Sequence, residues 1–341
     1  MGGRRPGEEP RSARLSVEPP AALRAAIDRE LAGVSRRGLA ERAARISEAY
    51  RAGGTSARAV TQPDDALAYA LARLPATYAA CAAVFAEARR MAPGFAPARL
   101  TDAGAGPGGT AWAAVAAWPG IVRVAQLDAS RPFLDLARRL AADGPAALAA
   151  AELRRAELSG ADPLPAADLV SASYVLAEIP ATAQAGVVER LWAACQGVLA
   201  LVEPGTPAGF ERLRAARTQL VAAGATVLAP CPHDAACPMK APDWCHFVQR
   251  LPRSRDHRLA KGAALAFEDE KYAYLLAARP GVAAAPRTPR VLAPPRAAKP
   301  GITLKLCTPA GAEAAFSPRR DKPAYAVARR LDWGDALPSG E

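Results

Sequence analysis

Cys231, Cys237 and Cys245 lie within fifteen residues of one another in the run C-P-H-D-A-A-C-P-M-K-A-P-D-W-C-H, and Cys307 follows in L-K-L-C-T-P. The chain holds six cysteines, so four of them gather towards one end. Thiolates are soft ligands that select zinc or iron–sulfur clusters, and a four-sulfur shell suits either. The spacing, C-x5-C-x7-C with 61 residues before the last cysteine, is looser than the paired C-x-x-C of zinc ribbons. The competing reading makes these thiols small apolar core residues, as free cysteines often are. Pro232, His233, Pro238 and Pro242 interrupt any helix or strand in the segment, so it has little core to offer and metal is the expectation. His233 and His246 are alternative ligands or solvated loop histidines. Cys81 and Cys195 sit on apolar helical patterns and read as core residues.

A second chemical signal is D-A-G-A-G-P-G-G-T, Asp102 to Thr110, placed after a strand and before a helix that starts near Thr110. Glycines here let backbone approach a ligand at the helix N-terminus, where amides point outwards. Gly104, Gly106 and Gly109 satisfy G-x-G-x-x-G, so a dinucleotide site has to be weighed, as does a turn that binds nothing. Asp102 favours another ligand. An acid two residues before the first glycine fits S-adenosylmethionine sites, where it holds the cationic amino-acid end. Asp128, twenty residues beyond Gly108 at the end of the next strand, can accept both ribose hydroxyls in either case. The expected cofactor-binding set is Asp102, Gly104, Gly106, Gly108, Asp128 and Glu203.

The elements that must position these residues are visible as changes of texture. Residues 1–17 are expected to be disordered. Leu23, Ile27, Leu31, Val34, Leu39 and Ile46 fall near helical spacing, as do Leu67, Leu71, Leu74, Tyr78, Cys81 and Phe85, which predicts a helical region over 18–95. From Arg99 onwards short apolar strands (R-L-T-D-A-G, V-R-V-A-Q-L-D, A-D-L-V-S-A-S-Y-V-L, G-V-L-A-L-V-E-P-G) alternate with Ala-rich helices. That alternation predicts an α/β fold with a parallel, Rossmann-like sheet over 96–280, carrying the cysteines as an insertion at 229–247. H-F-V-Q-R-L-P and K-Y-A-Y-L-L-A-A-R read as further strands. Pro280 to Pro300 reads as a linker to I-T-L-K-L-C-T and a basic tail, a small β extension over 281–335.

The chain of 341 residues carries a formal net charge of +11, and that surplus is uneven. Residues 250–330 hold seventeen Lys and Arg against six Asp and Glu, a surplus equal to that of the whole chain. Such a one-sided field attracts a polyanion, and nucleic acid is the natural candidate; the alternative is a solvated basic surface. Arg250, Arg253, Arg255, Arg258, Lys261, Arg319 and Arg320 are the expected nucleic-acid contacts. No run of eighteen apolar residues free of charge and proline is present, and the start M-G-G-R-R-P-G-E-E-P lacks an apolar segment, so no membrane span or secretory signal is expected. Unpaired thiols fit a reducing compartment, the bacterial cytoplasm or, in a eukaryote, the mitochondrial matrix.

Taken together, several segments resemble the methyltransferase-like small-ribosomal-subunit assembly proteins of bacteria and mitochondria. They are P-A-T-Y-A-A at Pro75–Ala80, D-A-G-A-G-P-G, L-V-E-P-G-T-P at Leu201–Pro207, the cysteine block, F-E-D-E-K-Y-A-Y at Phe267–Tyr274, L-C-T-P-A-G and the terminal A-R-R-L-D-W-G-D. They cover most of residues 60–335, and the cysteine block with L-C-T is their most specific part. The resemblance implies a class I S-adenosylmethionine-dependent methyltransferase fold and a 4Fe-4S cluster on Cys231, Cys237, Cys245 and Cys307. It also implies binding of small-subunit rRNA during assembly; the expected partners are small-subunit rRNA and assembly intermediates, and the expected state is a monomer.

Catalysis is a separate question. An amino-methylating enzyme would carry D/N-P-P-Y/F after the fourth strand, where this chain has S-A-S-Y-V-L-A-E-I-P at Ser171–Pro180. Pro230-Cys231 imitates the nucleophile of a cytosine methyltransferase, but a thiolate bound to a cluster cannot also attack a base. The leading reading is an assembly factor that binds S-adenosylmethionine and rRNA around a structural cluster. Its rivals are an active rRNA methyltransferase and a zinc-stapled nucleic-acid-binding protein.

Overall fold

The computed structural model describes residues 16–51 and 53–338; the expectation of disorder for 1–17 falls almost wholly outside them. Helices α1 (Ala21–Glu30) and α2 (Arg36–Arg51) bury Leu23, Ala26 and Ile27, and Leu39, Ala43 and Ile46, at the three- and four-residue intervals that make one apolar face. After the short α3 (Ser56–Ala59) comes α4 (Pro63–Met91). Pro63 and a reciprocal cap between Gln62 and Asp65 start it, and Arg89 and Arg90 complement its C-terminal dipole. This helix is long and apolar enough to cross a membrane, yet 67% of its most apolar stretch is buried inside the protein. It is the central core helix.

The sheet is built from β1 (Arg99–Ala103), β2 (Arg123–Asp128), β3 (Glu152–Arg155), β4 (Ala167–Ser173), β5 (Cys195–Pro204), β6 (Thr226–Ala229), β7 (Phe247–Pro252) and β8 (Phe267–Ala278). Between them lie α5 (Gly109–Ala117), α6 (Arg131–Ala141), α7 (Ala146–Ala149), α8 (Ala181–Ala194), α9 (Pro207–Ala222) and α10 (Arg255–Lys261). The strand order is β3-β2-β1-β4-β5-β8-β6. β8 runs antiparallel to β5 and β6 and, off that path, to β7, while β1 to β5 pair in parallel. The unbroken run Val198–Val202 is buried, as expected for a strand with helices on both faces. One antiparallel strand inserted between the fifth and the last is the class I S-adenosylmethionine-dependent methyltransferase topology, as expected from the sequence. Its order reverses between β1 and β4, where open α/β sheets take their ligands.

Beyond it lie β9 (Arg290–Val291), β10 (Arg296–Ala297), β11 (Gly301–Thr308), β12 (Gly311–Pro318) and α11 (Lys322–Ala328). These form a second, antiparallel sheet over a small core of Val291, Ile302, Leu304, Leu306 and Ala328. One expectation changes here. Residues 280–300 are not a free linker: the Ala285 amide donates to the Met91 carbonyl (2.7 Å), Arg287 pairs with Asp234 (2.8 Å), and Arg290 is buried with donors on Pro230 and Gly334 carbonyls. The helices α1, α2 and α4 share one apolar cluster with the sheet.

Candidate functional site

The glycine turn is fixed to the end of β2 by two hydrogen bonds, from the amides of Gly104 (2.8 Å) and Ala105 (3.0 Å) to the Leu127 carbonyl. Gly104, Gly106 and Gly108 have φ of +74°, +54° and +91°, the left-handed region that favours glycine. A Cβ at Gly104 would also fall 2.5 Å from Cγ2 of Val175, whereas one at Gly106 would meet nothing within 4 Å. Asp128, at the end of β2, accepts the Gly106 and Ser130 amides, each at 2.8 Å. Burial lifts its carboxyl to about 6. Asp102 is fully buried; one oxygen accepts the Ser171 hydroxyl (2.8 Å) and Oδ2 makes no hydrogen bond. Burial pushes this carboxyl up to about 7, against the pull of Ser171 and of the Ala111 amide. Buried polar atoms are normally paired, so the turn contains an acceptor that lacks a donor.

Glu203 is placed differently. At the end of β5 its carboxylate accepts the Leu176 amide (3.1 Å) and Nε of Arg212 (2.6 Å), so both oxygens are engaged with the protein itself. It props the turn after β4 instead of reaching the glycines. In that turn Tyr174 has φ +61°, the one non-glycine residue in the left-handed region among those described. Its hydroxyl donates to Glu270 (3.0 Å), which also pairs with Arg73 of α4 (3.1 Å). The N-terminal helices cover the neighbourhood: Glu178 accepts the Tyr50 hydroxyl (3.0 Å) and both the amide and hydroxyl of Ser56 (2.7 Å each). No sequence pattern announced this Arg73–Glu270–Tyr174 group, because its members come from three distant segments.

The structure brings the four cysteines together. Cys231 follows β6, Cys237 and Cys245 lie in the loop before β7, and Cys307 comes from β11; all four line one cavity of about 40 Å³ with Arg217, Met239 and Leu292. Among the described residues no group of three or more His, Cys, Asp or Glu side chains forms a metal-holding set. The thiols surround a cavity, not a point. Burial and the neighbouring thiols raise Cys245 well above the ordinary thiol range and Cys307 to about 12; burial raises Cys231, against the nearby Arg217. His233 Nε2 lies 3.9 Å from Cys307 Sγ. His246 stacks on Trp244 (4.9 Å) and meets Trp333 edge to face (4.7 Å). Cys81 and Cys195 are buried core residues, as expected.

The basic segment is less available than its count implies. Arg250 pairs with Asp269 (2.8 Å) and covers the Phe267 ring, Arg253 pairs with Glu268 (3.2 Å), and Lys261 pairs with the same Glu268. The cause is register: β7 lies antiparallel on β8, placing Arg250 opposite Asp269 and the E-D-E run beside the cations. Arg255, Arg319 and Arg320 are exposed and Arg258 is half-buried.

Residues 63–338 match the family model described as mitochondrial small ribosomal subunit Rsm22. The human mitochondrial ribosome assembly protein METTL17 is 32% identical over 295 residues, covering 80% of this chain and 62% of that protein. The chain thus spans less than two thirds of that relative's length. Among solved structures, magnesium protoporphyrin IX methyltransferase from Synechocystis PCC 6803 is 15% identical with a TM-score of 0.39, over 60% of this chain and 83% of that one. Precorrin-6y C5,15-methyltransferase from Geobacter metallireducens is 15% identical with a TM-score of 0.38, over 58% and 86%. Because the family match runs from the first residue of α4 to the last described residue, through the glycine turn, the cysteine loop and the second sheet, the chain belongs to the mitochondrial small ribosomal subunit Rsm22 family.

Proposed function

We propose that the protein is an assembly factor for the small ribosomal subunit that binds S-adenosylmethionine at the glycine turn, carries a 4Fe-4S cluster on Cys231, Cys237, Cys245 and Cys307, and binds rRNA. The observation that carries this reading is the convergence of four thiols from separate segments on one cavity, in a chain of this family. The human relative is named a ribosome assembly protein, and the same role suits this chain. It would act where small subunits are built, in the mitochondrial matrix as for that relative or in a bacterial cytoplasm.

The donor sets fit both groups. A cationic amino group would supply the partner that Asp102 Oδ2 lacks, Asp128 offers a carboxylate to ribose hydroxyls, and the space beside Gly106 leaves backbone accessible. Four thiols with no hard oxygen donor suit iron–sulfur or zinc. A cavity ringed by sulfur favours the larger group, and the buried guanidiniums of Arg217 and Arg290 offset the charge of ionised thiolates. When bound, the cluster supplies a structural link between the cysteine loop and β11.

The reading of binding without turnover rests on the turn after β4. Tyr174 and Glu270 are committed to each other and to Arg73, and the buried Cys81 thiol is held up at about 12. An rRNA methyltransferase is the second reading. Small-subunit rRNA should co-purify with the protein, with an affinity that falls steeply as salt rises. Radiolabelled methyl from S-adenosylmethionine should stay off that RNA. Transfer of label to one nucleotide, abolished by a variant that no longer binds the cofactor, would establish the enzyme instead.

Cofactor binding should also depend on pH. Because Asp102 sits at about 7 against an ordinary 3.8, the ligand-free folded protein keeps a proton that the unfolded chain has released, and stability falls as pH rises across that window. A cationic ligand at Oδ2 favours the ionised carboxylate, so affinity should rise with pH by up to about tenfold per unit between about 5.5 and 7. Asp102→Asn should flatten this profile in titration calorimetry. A flat wild-type profile would show that Oδ2 does not face the ligand.

A further inference from the structure

The second sheet has two faces, and its core accounts for one of them. Ile302, Leu304 and Leu306 of β11 point to Val291 and Ala328. On the opposite face, cross-strand register sets Arg296 of β10, Thr303 of β11 and Phe316 of β12 in one row, then Lys305 with Ala314, then Cys307 with Ala312. The cysteine loop covers the Cys307 end, where its Asp243 pairs with Lys305. The other end is open.

Phe316 is 53% exposed there. Its ring leans over Gly301: a Cβ at that glycine would lie 2.8 Å from both Cε2 and Cζ of the ring. A bare glycine therefore lets an aromatic ring settle on the sheet with its outer surface towards solvent. Cations surround it. Arg296 shares its row, Lys299 lies on the turn before β11, and the Arg319 amide donates to the Pro300 carbonyl (2.9 Å), joining the Lys299 turn to Arg319 and Arg320. None of Arg296, Lys299 and Arg320 has a carboxylate partner among the described residues, while the Arg319 guanidinium lies over the Tyr325 ring, 5.8 Å from its centroid, on the core side. The two acidic side chains of the segment are directed elsewhere: Glu313 pairs opposite Leu306 of the core face, and Asp321 caps α11 by accepting the Ala324 amide (3.1 Å).

We propose that this end of the second sheet is a stacking platform for an unpaired RNA base, with Phe316 under the base and Arg296, Lys299 and Arg320 on the flanking phosphates. The proposal deepens the rRNA-binding reading and rests on it. A flat apolar surface within a ring of unpaired cations matches a ligand that is both aromatic and polyanionic, which single-stranded nucleic acid is. A protein partner would satisfy the ring but leave three cations to be matched by as many carboxylates.

The test uses the full chain with a labelled oligouridine and with a stable RNA hairpin. Phe316→Ala should weaken oligouridine binding by roughly tenfold or more while the slope of affinity against salt is unchanged; Phe316→Tyr should bind as the wild type does. Arg296→Ala should weaken binding and also reduce that slope, by about 0.7 for a single strand. The hairpin should respond little to Phe316→Ala. Wild-type oligouridine affinity in a folded Phe316→Ala variant overturns the platform, and if the wild type still binds small-subunit rRNA the wider reading survives. Loss of subunit binding by Phe316→Ala with oligouridine affinity intact would assign the face to a protein and also overturn it. A wild-type chain that binds no RNA at low salt removes both.

Discussion

A Cys307→Ser variant isolated without oxygen is expected to lose its metal as completely as a Cys237→Ser variant, although the two positions are 70 residues apart in the chain. Both thiols line the same cavity, and a site that loses one of four anionic ligands loses most of its affinity. The wild-type protein should be brown, with broad visible absorption and about four irons per chain, where a zinc site would be colourless. Because burial and neighbouring thiols hold Cys245 and Cys307 above the ordinary thiol range, loading should release protons and weaken as pH falls. Stoichiometric zinc with no iron would replace the cluster by a zinc staple. Metal retained in Cys307→Ser would remove that ligand.

The second large effect is a contrast between neighbouring glycines of one turn. Gly106→Val should abolish S-adenosylmethionine binding yet leave a folded protein, since its Cβ meets nothing within 4 Å and the left-handed backbone costs about 1–2 kcal/mol. Gly104→Val should fail to fold properly, because its Cβ would be driven to 2.5 Å from the Val175 side chain on top of the same backbone cost. Calorimetry with the cofactor and thermal melting separate the two. A Gly106→Val protein that binds the cofactor normally would mean that the open space beside this residue is not the ligand's.

Much of the site could be read from local pattern. The glycine turn, Asp102 and Asp128 are contiguous with strands whose apolar texture is plain, and the four cysteines stand out by type. What escaped depends on pairing between distant segments. Arg250, Arg253 and Lys261 counted as free cations until β8 placed Glu268 and Asp269 beside them. Glu203 belongs to the expected cofactor-binding set, and the structure pairs its carboxylate with Arg212 of the following helix and the Leu176 amide. G-A-E-A-A-F-S-P has the composition of a helix or a tail; it becomes β12 because β11 offers it a full row of partners. Glu152–Arg155 is short, polar and mostly exposed, an edge strand without an apolar signature. The Pro-rich stretch reads as a linker until buried Arg290 is seen anchored by Pro230 and Gly334.

Helix α4 extends about 43 Å at 1.5 Å per residue. About a third of the way along, Arg73 lies over Tyr174 in the turn after β4; about two thirds along, Cys81 lies against Thr110 and Ser173; and near the end Glu87 holds Arg290 while Met91 receives Ala285. One helix, with Pro75 inside it, therefore runs from the turn after β4 to the segment that leads into the second sheet. Its contacts at both ends join the glycine-turn side of the first sheet to the second sheet through a single element, so a change in its packing is expected to reach both.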